Sequence, residues 1–73
     1  MLEEQTILRI NADLETIETI DGTRWSVEPG GQPIICTWLP TDIIEIRLVD
    51  PDSSWPYELR HGGETVRAMR LTS

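Results

Sequence analysis

The stretch DIIEIRLVD, residues 42–50, alternates apolar and charged side chains with the two-residue period of a β-strand. Successive side chains of a strand point to opposite faces, so this stretch separates into two sets of residues. We predict that one set is buried, and it consists of Ile44, Ile46 and Leu48. The opposite, polar face carries Ile43, Glu45, Arg47 and Val49. The stretch therefore predicts a half-buried strand and an extended fold around it.

Turn-forming residues recur on both sides of this strand, about every ten residues. They are Asp21-Gly22, Pro29-Gly30-Gly31, Pro40-Thr41-Asp42, Asp50-Pro51-Asp52-Ser53-Ser54 and His61-Gly62-Gly63. This spacing is typical of the short strands of an all-β sandwich or barrel. With 73 residues, the chain is predicted to form one domain over residues 1–73.

Three further segments are predicted to be strands. Tyr57–Arg60 precedes the second Gly-Gly turn, and ETVRAMRL, residues 64–71, follows it. The apolar side chains of ETVRAMRL move from one face of the strand to the other near its end. We therefore predict a bulge or strand end at residues 68–70. The nearly continuous apolar run PIICTWL, residues 33–39, is typical of a central strand. Its Cys36 is predicted to be a buried, inert thiol.

The first half of the chain is predicted to contain a hairpin at Asp21-Gly22. A two-residue loop would place an acid among apolar neighbours. We therefore predict a longer loop, with Ile20 and Trp25 on one buried face. The preceding segment NADLETIETI, residues 11–20, has two interpretations. A possible capping residue and the Leu14–Ile17 spacing favour a helix, whereas its isoleucines, its threonines and the following hairpin favour a strand, which we prefer.

The aromatic side chains are predicted to have two roles. Trp25 and Trp38 are expected in the core, because a buried tryptophan removes a very large apolar area from water. Trp55-Pro56-Tyr57 follows a polar loop, and a proline there suits a strand start. This segment either forms a shallow exposed ledge for a peptide or closes the end of the barrel.

The composition limits the class of partner. The chain has 13 acidic residues and six arginines, which gives a net charge of −7. Non-specific affinity for nucleic acid comes from neutralising phosphates, so a surface of this charge predicts no binding of generic nucleic acid, and it disfavours anionic membranes. A locally basic segment bears three of the arginines, namely Arg60, Arg67 and Arg70. We interpret them as a solvated strand face.

The sequence lacks a motif for catalysis. His61 beside Gly62-Gly63 is interpreted as a turn residue, because no spacing places a nucleophile next to it. The run starting at Asp50 fails as a calcium loop, since its sixth and twelfth positions are Trp55 and His61. We therefore predict no enzymatic activity, no cofactor and no metal site. The chain also lacks the pattern of a signal peptide or a membrane helix, which predicts a cytoplasmic protein.

Three stretches carry a resemblance to a known group. DGTRWSV (residues 21–27), TWLPTDIIEI (37–46) and YELRHGGETVRA (57–68) resemble the D-G-x-x-W, W-x-x-x-D-x-I and G-x-T-V-x-A strands of small bacterial SH3-like β-barrel proteins of unknown function. The resemblance covers residues 16–71. It implies a small SH3-like barrel of five or six antiparallel strands and favours a role without catalysis. It assigns no catalytic or ligand-binding residue.

These observations predict a protein-binding or assembly module. We expect the partner to be another protein or a second copy of the chain, which would make a homodimer, and binding to involve Trp55, Tyr57 and an adjoining strand edge. The alternative is an OB-like or Sm-like barrel that binds nucleic acid with Arg60, Arg67 and Arg70. In that case the three arginines should converge beside an aromatic stacking platform.

Overall fold

Six antiparallel strands form a closed barrel in the computed structural model, which describes residues 2–71. The strands are β1 (Leu2–Asn11), β2 (Thr16–Thr19), β3 (Arg24–Val27), β4 (Ile43–Leu48), β5 (Tyr57–His61) and β6 (Glu64–Leu71). A single-turn helix, α1 (Gln32–Ile35), lies between β3 and β4. Neighbours around the barrel follow the order β1-β2-β3-β6-β5-β4. The predicted all-β small barrel of five or six antiparallel strands is confirmed, with six.

The barrel interior is filled by the apolar side chains that alternate along the strands. The buried set is Ile7, Ile17, Trp25, Val27, Ile35, Trp38, Ile44, Ile46, Leu59, Val66 and Ala68. The predicted core positions of Trp25 and Trp38 are confirmed, since each is 3% exposed. Strand β6 keeps a regular register with both neighbours and continues to Leu71, so the bulge or strand end predicted at residues 68–70 is wrong.

Leu48 is the exception on the predicted inner face of β4. Ile44 and Ile46 are buried, but Leu48 is 46% exposed, so its predicted burial is wrong. It pairs with Tyr57, the first residue of β5, at the end of that ladder. The Tyr57 ring lies edge-on to Trp25, with 5.1 Å between ring centroids. Tyr57 therefore covers the core at this end of the barrel, and Leu48 lies at the rim.

The run PIICTWL is not a central strand, and that prediction is wrong. Residues 32–35 form α1, and a turn continues to Trp38, whose amide donates to the carbonyl of Ile35 at 3.0 Å. Pro33 explains the difference, because proline cannot donate to a strand ladder but fits the first turn of a helix. The three-residue spacing puts Ile35 and Trp38 into the core. Cys36 between them is exposed, so its predicted burial is also wrong.

Gly31 allows α1 to pack against the barrel wall. A Cβ at this position would lie 2.5 Å from Val27 Cγ1 and 3.3 Å from Val66 Cγ1. Both valines are buried, and a valine side chain has little rotational freedom to move aside. The glycine is therefore required for space rather than for its backbone angles.

We expect Gly31→Ala to lower the free energy of unfolding by about 1–3 kcal/mol, the usual cost of overpacking a core. Urea denaturation measures this change. The control is Gln32→Ala, at the neighbouring exposed residue, for which a shift below about 0.5 kcal/mol is expected. A Gly31→Ala midpoint equal to that of the wild type would contradict the packing of α1.

The hairpin between β2 and β3 has a three-residue loop, Ile20–Gly22. The Thr19 amide donates to the Thr23 carbonyl at 2.9 Å, and Ile17 pairs with Trp25. The prediction of a longer loop is confirmed. The predicted burial of Ile20 is wrong, because Ile20 is 61% exposed and Thr19 takes the inward position.

Asp21 compensates for the burial of the Thr19 hydroxyl. Its Oδ1 accepts hydrogen bonds from Thr19 Oγ1 at 2.6 Å and from the Thr23 amide at 3.0 Å. Both hydrogen bonds lower the pKa of Asp21 below its ordinary value of 3.8, and the bond from the Thr19 hydroxyl has a larger effect than the bond from the Thr23 amide. The pKa of Asp21 is lower in the folded state than in the unfolded state. The charged carboxylate therefore stabilises the fold fully at pH values above the pKa of the unfolded state. That contribution is lost as the pH falls through the folded-state pKa.

We therefore expect Asp21→Asn to be less stable than the wild type near neutral pH. The difference should shrink in acid, as the pH falls through the lowered pKa of Asp21 and the wild type takes up its proton. Urea midpoints of both proteins, measured across this pH range, test the expectation. A difference that stays constant, or grows in acid, would contradict the stabilising role of the carboxylate.

The N-terminal part of the chain contains the longest strand. Strand β1 ends at Asn11, whose Oδ1 accepts a hydrogen bond from the Leu14 amide at 3.2 Å in the turn that follows. Residues 16–19 form β2, so the preference for strand over helix in residues 11–20 is confirmed.

Candidate functional site

The predicted ledge Trp55-Pro56-Tyr57 is half-buried. Tyr57 packs against the core, which agrees with the second predicted role of this segment, closing the end of the barrel. The Trp55 amide donates to Ser53 Oγ at 3.0 Å, and the Val49 amide donates to the Pro56 carbonyl at 2.9 Å. This segment is therefore held against the barrel and offers only part of its aromatic surface to a partner.

The three candidate arginines do not converge on one face. Arg60 and Arg67 alternate with buried residues and so lie on the outer surface of β5 and β6. Arg67 Nε donates to the Trp55 carbonyl at 2.9 Å, which ties the preceding loop to β6. Arg70 lies at the rim, opposite Trp25, where its charge also lowers the pKa of Asp21.

Acidic residues alternate with the arginines on this outer surface. Arg60 pairs in register with Glu45, and Arg67 pairs with Glu58, which in turn pairs with Arg47. Each row across β4, β5 and β6 therefore mixes charges of both signs. A phosphate backbone would meet carboxylates between the arginines.

We expect random-sequence DNA and RNA not to bind with sub-micromolar dissociation constants at physiological salt. Fluorescence anisotropy with labelled oligonucleotides checks this. Tight binding that disappears in Arg60→Glu would contradict the expectation and would favour the nucleic-acid alternative.

His61 links β5 to the turn that precedes β4. Its Nδ1 lies 3.0 Å from the Ile43 carbonyl, and its Nε2 lies 3.3 Å from Asp42 Oδ2. The ring is edge-on to Trp38, with 5.7 Å between centroids. Asp42 Oδ2 also accepts from the Leu39 amide at 2.9 Å, so both side chains hold the turn in place. Within residues 2–71, no group of three or more metal-ligating side chains comes together.

An exposed apolar surface lies on the outside of β1 and its two neighbours. We name it the Leu8 face, and it consists of Leu8, Ile20, Leu39 and Ile43. These side chains are 45%, 61%, 63% and 56% exposed, respectively. They are the outward neighbours of buried residues in the strands and of Trp38 in the turn.

Backbone hydrogen bonds to the middle of β1 bring this face together. Ile43 pairs with Thr6 on one side of the strand, and the Ile20 amide donates to the Thr6 carbonyl at 3.0 Å on the other. The turn containing Leu39 is joined to Ile7, whose carbonyl accepts from the Thr41 amide at 2.8 Å. Residues from three separate parts of the sequence thus lie around one short stretch of β1.

A β-bulge places Leu8 on this face. Ile7 pairs with Thr19 and Arg9 pairs with Glu18, so Leu8 has no partner in β2. Two consecutive side chains, those of Leu8 and Arg9, are consequently exposed. Bulges often redirect a side chain in this way.

The described surface also carries a groove beside α1. A groove of about 340 Å³ lies between α1 and β6, lined by Glu28, Pro29, Gly30, Gly31, Ile34, Thr65, Val66 and Arg67. Its arginine also holds the Trp55 carbonyl.

None of the helices in residues 2–71 has the length and apolar character needed to cross a membrane. The chain matches no protein-family model, and searches of curated proteins and of solved structures find no significant match.

Proposed function

We propose that the protein is a non-enzymatic protein-binding module that docks a partner through the Leu8 face. The observation that supports the proposal is the exposure of four large aliphatic side chains around one stretch of β1. Single exposed apolar residues are common, but a group gathered on one surface is characteristic of an interaction site. Leu8, Ile20 and Ile43 lie on three adjacent strands or their immediate continuations, with Thr6 between Ile20 and Ile43.

Docking on this face uses side chains rather than strand addition. Each described strand has a hydrogen-bonded neighbour on both sides in the closed order, so none of the strands within residues 2–71 is a free edge strand along its whole length. The aromatic segment at Trp55 is half-buried and held by Arg67. The Leu8 face is therefore the more accessible apolar surface.

Two of the ionisable residues at the border of the face have structural contacts that fit a role without catalysis. His61 and Asp42 contact each other and the backbone of the 39–42 turn. In these positions they stabilise the border of the face. They would be expected to remain in place when a partner binds.

Site-specific photocrosslinking in cells that naturally produce the protein tests the proposal. A photoreactive residue replaces Ile20 on the Leu8 face, and in a second protein it replaces Asp52 in the loop after β4. We expect a discrete crosslinked protein from position 20 alone. The crosslink should disappear when Leu8→Gln and Ile43→Gln are added. The proposal fails if the same proteins crosslink from both positions or persist in the double variant.

A further inference from the structure

Two glutamates are direct cross-strand neighbours beside the Leu8 face. Glu4 on β1 and Glu45 on β4 are partners in register, two residues along from the Thr6–Ile43 pair, and all four side chains lie on the outer surface. Like charges directly opposite each other across two strands destabilise the pair. Arg60 is the partner of Glu45 on the other side. Within residues 2–71, neither glutamate is within ion-pair distance of a cation.

The rest of the border is also predominantly acidic. Asp21 follows Ile20 directly and is exposed. Four basic side chains lie at or near this border, and each has an acidic neighbour. Arg60 is the register partner of Glu45, and the charge of Arg70 lowers the pKa of Asp21. Arg9 lies 3.4 Å from Glu18, and His61 lies 3.3 Å from Asp42. The border therefore keeps an excess of negative charge around an apolar centre.

We propose that the partner of the Leu8 face is a protein segment that presents aliphatic side chains flanked by lysine or arginine. This proposal rests on the docking function proposed above and specifies the chemistry of the partner. Cations of the partner would lie against Glu4 and Glu45 and relieve their mutual repulsion, while its aliphatic residues would cover Leu8 and Ile43. A second copy of the chain fits poorly, because a symmetric contact would bring two identical acidic borders together.

Three synthetic helical peptides with one apolar pattern test this chemistry. Their polar positions carry lysine, glutamine or glutamate, and binding is measured by fluorescence anisotropy at physiological salt. We expect the lysine peptide to bind about tenfold more tightly than the glutamine peptide, and the glutamate peptide more weakly still. Equal affinity for the three peptides would overturn the proposal.

Two pairs of charge variants separate a local effect from the general acidity of the protein. Glu4→Gln with Glu45→Gln changes the border, and Asp50→Asn with Asp52→Asn makes the same change in net charge elsewhere. Asp50 and Asp52 lie in the loop after β4, outside the strand that carries Glu45. The border pair should weaken binding of the lysine peptide about tenfold, and the distant pair less than about twofold.

The possible outcomes distinguish this proposal from the docking function itself. If both charge pairs weaken binding equally, the attraction is general and the cationic partner is rejected, while docking on the face stands. If Leu8→Gln with Ile43→Gln leaves binding of the lysine peptide unchanged, the face is not the docking site and the proposed function fails with it. A dimer in light scattering that dissociates in Ile43→Gln would identify a second copy as the occupant and would also reject the cationic partner.

Discussion

Trp25→Ala is expected to lower the free energy of unfolding by about 3–5 kcal/mol, which is the usual cost of removing a large aromatic side chain from a core. Trp25 is 3% exposed and is the register partner of Ile17 on β2 and of Arg70 on β6. Its ring supports Tyr57 at the end of the barrel. Small domains have little stability to lose, so this variant should be largely unfolded at physiological temperature.

Urea denaturation followed by circular dichroism measures the loss, and Trp25→Phe is the matched control. The control keeps an aromatic ring and removes the indole N–H, which is buried without a hydrogen-bond partner in the structure. We therefore expect Trp25→Phe to be clearly more stable than Trp25→Ala. Equal losses in the two variants would show that ring packing is not the source of the stability.

Ile46→Ala is expected to destabilise the protein by about 2–5 kcal/mol, whereas Leu48→Ala should cost less than about 0.5 kcal/mol. Both residues belong to the same alternating set on β4, but Ile46 is 3% exposed and Leu48 is 46% exposed. Truncating Ile46 leaves a cavity between β4 and β5, while truncating Leu48 removes contacts only at the rim.

The two variants are compared by thermal and urea denaturation under the same conditions. Similar destabilisation by both would contradict the position of the barrel rim at the Leu48–Tyr57 pair. A stable Ile46→Ala variant would contradict the inward face of β4 itself.

The strand pattern and the barrel were accessible from the sequence because both depend on local signals. Alternation in residues 42–49 gives the strand, and turn residues give its limits. The end of the core could not be predicted from the sequence, since it depends on the packing of Tyr57 against Trp25. The run PIICTWL contains two opposing signals. Its apolar residues suit a strand, but Pro33 has no N–H to donate to a neighbouring strand.

The Leu8 face could not be predicted because its residues come together only through long-range pairing. Leu8 is exposed by a bulge in β1, and the adjacent residues Ile7-Leu8 give no indication of it in the sequence. Ile20 was expected inside. The hairpin pairs Ile17 with Trp25, so Thr19 points inward and Ile20 points outward. The resemblance to SH3-like barrel proteins remains a prediction of the sequence.

Chemical-shift mapping tests the central claim, docking on the Leu8 face, most directly. The isotopically labelled protein is titrated with the lysine peptide, and amide signals are followed by nuclear magnetic resonance. We expect the largest shifts at residues 6–8 of β1, at Ile20 and at Ile43, with small shifts at Trp55 and Tyr57. Shifts centred on Trp55 and Tyr57 or on Arg60 and Arg67, with the Leu8 face unchanged, would contradict it.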